Sequence, residues 1–254
     1  MLKFFQTSVS FRERVIQFIL TAACFFATSA FAQSPSQRLF MRMSGNFVAN
    51  DSLRRTLAYS YDLHLTGMFY LKADSVQIVE DWRIIQTPDS IRVLPISLQT
   101  NGKAEMAKQY VPPVRLASVK RGKGWMADDP LMAAIGEVLH RIKKDSKAQV
   151  MIDGETAGRD GAKNYVLRFL ADDRTGSLWI NAATAKLERL EWAYGKSIGL
   201  SSSGEKSSVE LAPALNEMIF PVKLVFNERA RRLLRRTGSY TEIEAKNFKR
   251  EEMP

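Results

Sequence analysis

From Leu57 to Leu71 the chain alternates, and no other feature constrains its fold as strongly. Leu57, Tyr59, Tyr61, Leu63 and Leu65 are interleaved with Ala58, Ser60, Asp62, His64 and Thr66; Gly67 interrupts, and Phe69 and Leu71 resume the same phase. Successive side chains of a strand point to opposite faces, so this period of two predicts a sheet with one face buried and one wet, as antiparallel sheets allow. The run outlasts the usual strand of about 5–6 residues, and Gly67 is the natural place for it to bend.

The remaining strands are predicted from shorter signals. Val76–Ile85 and Ile91–Leu98 flank the turn Thr87-Pro88-Asp89-Ser90, Asn101-Gly102 is a further turn, and Val114–Val119 follows Pro112-Pro113. After residue 148 the chain reads as hairpins: Gln149–Ile152 leading to Asp153-Gly154, Tyr165–Leu170 after Asp160-Gly161, Leu178-Trp179-Ile180 after Thr175-Gly176, and Leu187–Tyr194 after the turn Asn181–Ala185. Lys196 to Ser208 is rich in Gly and Ser and reads as a mobile loop. Phe220, Val222, Leu224 and Phe226 alternate again, and a last hairpin is expected around Thr237-Gly238.

Two helices are expected. Pro35 to Ala49 carries Leu39, Met43 and Phe47 four apart on one face, and Asn50-Asp51-Ser52 then breaks the pattern. Residues 130–144 have Asp129 as N-cap, Pro130 at the first helical position, Lys143-Lys144 at the C-terminal end and an apolar stripe of Leu131, Ile135, Val138, Leu139 and Ile142. One helix, strands, one helix and many hairpins make an antiparallel α+β protein, with a strongly curved sheet or open barrel.

The first 32 residues are read as a leader rather than as part of that fold. Lys3, Arg12 and Arg14 form a positive start, Phe18 to Phe26 an uncharged apolar core, and Ala30-Phe31-Ala32 a cleavage pattern before Gln33. The apolar run is too short for a bilayer span of about 20 residues. A lipidated Cys24 is the alternative, but Thr21 stands where leucine is usual and Phe25-Phe26-Ala27 would make an apolar tether. Cleavage after Ala32 leaves residues 33–254 as a single domain in the periplasm, and removes the only cysteine, Cys24. Disulfides, cysteine-ligated zinc and a cysteine nucleophile go with it. The chain carries a net charge of +10, most of it beyond the leader. Anionic lipid head groups or an acidic protein surface suit such a charge; nucleic acid is the poorer partner, since no aromatic-basic recognition motif is present.

Three stretches carry a family resemblance. One is the long strand Leu57–Leu71 after an N-terminal helix. Another is Tyr165-Val166-Leu167-Arg168-Phe169-Leu170 followed by Leu178-Trp179-Ile180-Asn181, Thr184 and Lys186-Leu187-Glu188-Arg189-Leu190. The third is Phe220-Pro221-Val222-Lys223 with a closing hairpin that ends near Asn247-Phe248. Together they resemble the LolA/LolB-like periplasmic lipoprotein carriers, open half-barrels whose superfamily includes lipid-transfer lipoproteins and RseB-like stress sensors. Asn181 stands for that family's usual aspartate, and Ala185-Lys186 near its usual proline. The resemblance implies a curved sheet around an apolar cavity that shields acyl chains, with helices covering the concave face. It also implies a lipid or acylated lipoprotein as ligand, or a membrane-protein partner if the chain is a sensor.

Catalytic groups are sparse. His64 falls on the wet face of the long strand and His140 near a helix end, both solvated positions without metal-binding spacing. Ser201-Ser202-Ser203 makes no nucleophile elbow. In the pairs Glu80-Asp81, Asp128-Asp129 and Asp172-Asp173, neighbours on a strand would point to opposite faces, and Glu242 and Glu244 read as a solvated edge. No cofactor or metal site is expected, and an exported hydrolase ranks behind carrier and sensor. The stripe Leu57, Tyr59, Tyr61, Leu63, Leu65 and Phe69, with Phe220, Val222 and Leu224 of the later strand, is either packed core or the wall of an unfilled cavity. Arg229, Arg231, Arg232, Arg235 and Arg236 are either a solvated face or a dock for an anionic membrane surface or an inner-membrane protein.

Overall fold

The computed structural model describes residues 34–71, 74–104, 119–120, 130–171, 173–198, 201–232 and 235–252. The proposed leader, residues 112–118, Asp128-Asp129 and Asp172 lie outside these residues.

Helix α1 (Pro35–Arg55) opens with a capping box: Gln37 N–H donates to Ser34 Oγ (3.2 Å) and Ser34 N–H to Gln37 Oε1 (3.1 Å). It does not stop at Asn50-Asp51-Ser52 as the sequence pattern predicts. The side chains that favour turns do so by competing for local backbone, and here the first two are engaged elsewhere. Asn50 bonds both backbone groups of Ile219 (2.8 and 2.9 Å), and Asp51 accepts from Arg54 (2.6 Å) and Arg55 (2.8 Å).

The strands are β1 (Tyr59–Leu71), β2 (Asp74–Gln86), β3 (Ser90–Thr100), β4 (Lys103–Ala104) and β5 (Val119–Lys120), then, after helix α2 (Pro130–Lys144), β6 (Gln149–Ala157), β7 (Lys163–Ala171), β8 (Arg174–Asn181), β9 (Leu187–Ile198), β10 (Ser201–Ala214), β11 (Met218–Arg232) and β12 (Arg235–Arg250). They form one open antiparallel sheet in the order β4-β3-β2-β1-β12-β11-β10-β9-β8-β7-β6, with β5 beside β3. The first and last long strands pair along their whole length, from Tyr59 opposite Arg250 to Leu71 opposite Thr237. That pairing joins the two meanders into a single curved α+β sheet.

Three turn assignments from sequence are corrected. Asp153-Gly154 is not a turn but a register irregularity inside β6. The described residues of the Gly/Ser segment, 196–198 and 201–208, are not a loop: β9 runs to Ile198 and β10 begins at Ser201. Composition is overruled because β10 is flanked on both sides, by β9 and β11, and each neighbour completes its backbone hydrogen bonds. Thr237-Gly238 likewise lies within β12, opposite Arg229 and Ala230, so the β11–β12 hairpin extends to Arg232 and Arg235.

Both helices lie against the concave face. Ser36 Oγ donates to Val150 O of β6 (2.8 Å), Asn46 to Thr184 O (3.0 Å), and Asn50 to Ile219 O of β11 (2.8 Å), so α1 crosses from one arm of the sheet toward its middle. Met43 and Phe47 of α1, and Ile135, Val138, Leu139 and Ile142 of α2, are buried as their spacing predicts. They share one core with Tyr59, Leu63, Ile84, Leu167, Leu190, Phe220 and Leu224.

Candidate functional site

The inward phase of β1 passes through two environments. At its start, Tyr59, Tyr61 and Leu63 are at most 2% exposed. The rings of Tyr59 and Tyr61 stack at 6.2 Å, Phe220 meets Tyr59 edge-on at 5.3 Å, and Phe248 lies 5.2 Å from Tyr61 and 4.8 Å from Phe220. Beneath them Arg54 is buried and donates to Tyr59 Oη (2.6 Å) and Asp51 (2.6 Å), while Tyr59 Oη donates to Gln86 (2.6 Å). This buried polar chain fixes the C-terminal end of α1 to β1 and β2.

At the other end of the same strand the helices give out and the concave face is open. An outer chamber of about 790 Å³ is lined by Phe69, Val76, Ile78, Tyr194, Glu205, Glu228 and Ser239, with Tyr70 and Arg229 at the rim. An inner chamber of about 340 Å³, lined by Leu65, Phe69, Ile78, Glu80, Phe226, Thr241 and Ile243, shares Phe69, Ile78, Glu228 and Ser239 with it. Both volumes fall in or close to the range of ligand sites, about 300–1,000 Å³. Gly67 shapes the boundary: a Cβ there would sit 2.9 Å from Phe69 Cε2, so only glycine lets the Phe69 ring lie back over β1.

The stripe named from the sequence is thus divided. Tyr59, Tyr61, Leu63, Phe220 and Leu224 are core, Leu57 is partly buried just before β1, and the β10 pairing of β11 skips the partly exposed Val222. Leu65 and Phe69 reach the cavity. Ile78, Phe226 and Tyr194 were missed, as were three carboxylates. Glu80 is fully buried, with Oε2 accepting from Trp82 Nε1 (2.8 Å). Glu205 accepts from Trp192 Nε1 (3.1 Å) and Ser207 Oγ (2.7 Å). Glu228 lines both chambers. A signal existed for Glu80, the one charge in the apolar phase Val76, Ile78, Glu80, Trp82, Ile84. Its neighbour Asp81 points to the opposite face, as strand geometry requires.

The convex face carries the other ionisable groups. Thr66 Oγ1 lies 3.3 Å from His64 Nε2, His64 Nδ1 lies 2.7 Å from Asp81, and Ser97 donates to Asp81 (2.6 Å). Burial works against the Asp81 anion, but the hydrogen bonds from Ser97 and His64 outweigh it and hold its carboxyl below the usual range. Hydroxyl, imidazole and carboxylate stand in relay order, yet Thr66 is mid-strand between β2 and β12, where the backbone ladder occupies the N–H groups that would stabilise an oxyanion. Glu242 and Glu244 share this wet face, and hydrogen bonds from Lys223 and Tyr240 keep the Glu242 carboxyl low. His140 is exposed on α2. Among the described residues no group of histidine, cysteine and carboxylate side chains could hold a metal ion.

The five arginines gather at one place. Register sets Arg231 opposite Arg236 and Arg232 opposite Arg235 at the tip of the β11–β12 hairpin, with Arg229 exposed at the cavity rim below them.

No family model matches the chain, and no curated protein matches its sequence. Solved structures similar to it include a domain described as an outer membrane lipoprotein-sorting protein from Vibrio parahaemolyticus, at 11% identity over 83% of this chain and 93% of that one, with a TM-score of 0.35. They also include a DUF1329 family protein from Desulfovibrio piger, at 11% identity over 86% and 94% with a TM-score of 0.33. A third is a chain of the MucA/MucB complex of Pseudomonas aeruginosa, at 9% identity over 83% and 98% with a TM-score of 0.23.

Proposed function

We propose that this protein is a periplasmic, non-enzymatic carrier that holds the acyl chains of a lipid or lipoprotein in the open half of its concave face. The observation that carries this reading is the unfilled apolar surface of Phe69, Val76, Ile78 and Phe226 beside the core packed under the two helices. Each methylene buried there contributes about 0.8 kcal/mol, so a chain of ordinary length binds without precise polar anchors. The mature protein is expected to begin at Gln33; an N-terminus at a lipidated Cys24 would place it on a membrane instead.

The test is displacement of a fluorescent acyl probe from the purified mature chain. Ile78→Asp and Phe226→Asp are expected to abolish binding while thermal unfolding stays cooperative, because both side chains border open space. Wild-type protein that carries no co-purified lipid and binds no acyl probe sinks the carrier reading.

The arginine tip supplies the docking surface. Like charges directly opposite across a hairpin destabilise it, and an anionic membrane surface relieves that repulsion at about 1 kcal/mol per basic residue. Replacing Arg231, Arg232, Arg235 and Arg236 with glutamine is expected to weaken association with acidic liposomes, steeply with salt, and to leave acyl-probe affinity in solution unchanged. The alternative, a regulatory binding protein, is favoured by one feature: the sheet's end strand β6 exposes Met151 and Ile152 beside Leu170 of β7. Acyl-probe-independent capture of an inner-membrane protein, lost in Met151→Lys and Ile152→Lys, would support it.

A further inference from the structure

Charge is arranged differently on the two faces of the sheet. On the convex face one cross-strand row runs Asp81, His64, Glu244, Lys223, Glu210, Arg189 from β2 to β9, and each carboxylate in it stands opposite a basic side chain. The concave face breaks this pattern. Its row across the outer chamber reads Phe69, Ser239, Glu228, Glu205, Tyr194, so two carboxylates of neighbouring strands are directly opposed. Cβ atoms so placed are about 4.5–5.5 Å apart, and like charges there are destabilising. Both side chains are reachable from the cavity. Glu205 is half-buried and takes neutral donors, the Trp192 indole and the Ser207 hydroxyl, both on Oε1. Glu228 is exposed, and among the described residues its one donor is Ser239 Oγ at 3.4 Å. Arg229 follows Glu228 in the strand, so it leaves by the opposite face between Gly204 and Gly238. Arg174, opposite Tyr194 in the same row, is spent on Glu137 of α2 (3.3 Å). The hydroxyls of Ser203, Ser239 and Thr241 also line the chambers and can donate, but they bring no charge. The cavity is a site by virtue of its apolar wall; the opposed acids decide which head its chain carries.

We infer that Glu205 and Glu228 form the head-group subsite of the cavity, and that it takes a protonated amine carried on an alkyl or acyl chain. This rests on reading the cavity as an acyl-chain site and narrows the ligand class. The ammonium lies between the two carboxylates and donates to both, which removes the repulsion that their register imposes. Its chain lies against Phe69, Val76 and Ile78 and reaches Phe226 in the inner chamber. A calcium ion fits worse, because it takes about six to eight oxygen ligands and the wall beside the pair is apolar and aromatic. A carboxylate head is repelled, and an alcohol brings a donor without the charge.

Dodecylamine, dodecanol and laurate, each competing with a fluorescent acyl probe on the mature chain, separate these heads. Wild type is expected to bind dodecylamine about tenfold tighter than dodecanol, the size of one charge-assisted hydrogen bond beyond a neutral one, with laurate weakest. That order runs against the net charge of +10, so general electrostatic attraction does not produce it. Glu205→Gln and Glu228→Gln should each bring the amine-to-alcohol affinity ratio close to one. Glu228→Gln should also raise the melting temperature of the unliganded chain by about a degree or two, because the opposed charges are gone. Equal binding of amine and alcohol by wild type, a preference kept in both variants, or a lower melting temperature in Glu228→Gln overturns the subsite while chain binding stands. Displacement of the amine by calcium, but not by sodium at equal ionic strength, assigns the pair to a metal ion and overturns it as well. If no probe binds at all, the carrier reading fails and this inference with it.

Discussion

Strand β1 serves two regions that differ in one respect, whether a helix lies over them. Around Tyr59 and Leu63, α1 and α2 cover the sheet, aromatic rings interlock within about van der Waals reach, and even an arginine is buried, donating to Asp51 and Tyr59. Around Phe69 the same alternation of residues faces empty volume. Identical local patterning therefore yields core in one place and cavity in the other. The stability of the molecule belongs mainly to the covered half and its binding capacity to the open half.

Substitutions that break this division are expected to act in opposite ways. In the covered half, Arg54→Ala removes the partner of a buried carboxylate and should lower unfolding free energy by about 3–5 kcal/mol in urea titrations. Leu63→Ala should cost about 2–5 kcal/mol through the void it leaves. Acyl-probe affinity of the folded fraction should change little in either variant. In the open half, Ile78→Ala should cost only about 1 kcal/mol of stability, since little packing is lost, yet weaken the probe roughly tenfold. Equal stability losses at Leu63 and Ile78 would erase the distinction between the halves.

Gly67→Ala probes the boundary itself. The new Cβ displaces the Phe69 ring into the cavity, so probe affinity should shift a few-fold while the melting temperature hardly moves. Acid has the smallest effect. Burial opposes the Glu188 anion, but hydrogen bonds from Asn164, the Arg159 N–H and Asn181 prevail and set its carboxyl below its ordinary value of 4.5. Its stabilising contribution is full above pH 4.5 and is lost as pH falls through the lower folded value. Glu188→Gln should flatten that part of a melting-temperature profile between pH 5 and pH 3, by about a degree or two.

Much of the scaffold was legible because it is local. The bounds of α2, the start of α1 at Pro35 and the alternation of β1 follow from spacing and turn chemistry alone. So does the opposed facing of Glu80 and Asp81. The errors arose where neighbours distant in sequence overrode composition. Ser201–Ser208 became a strand because β9 and β11 stand on either side of it. The final hairpin lengthened past Thr237-Gly238 because both its strands continue to pair.

The sequence by itself determined which face of each strand is apolar, that the sheet is antiparallel and where the basic residues cluster. Only the tertiary structure decided how much of the apolar face is covered. Coverage depends on where α1 comes to rest, and that is set by contacts across the chain, Ser36 on Val150, Asn46 on Thr184 and Asn50 on Ile219. Hydrophobic patterning specifies what must leave water; it does not specify whether protein or ligand fills the space, because burial against either satisfies the same free-energy term.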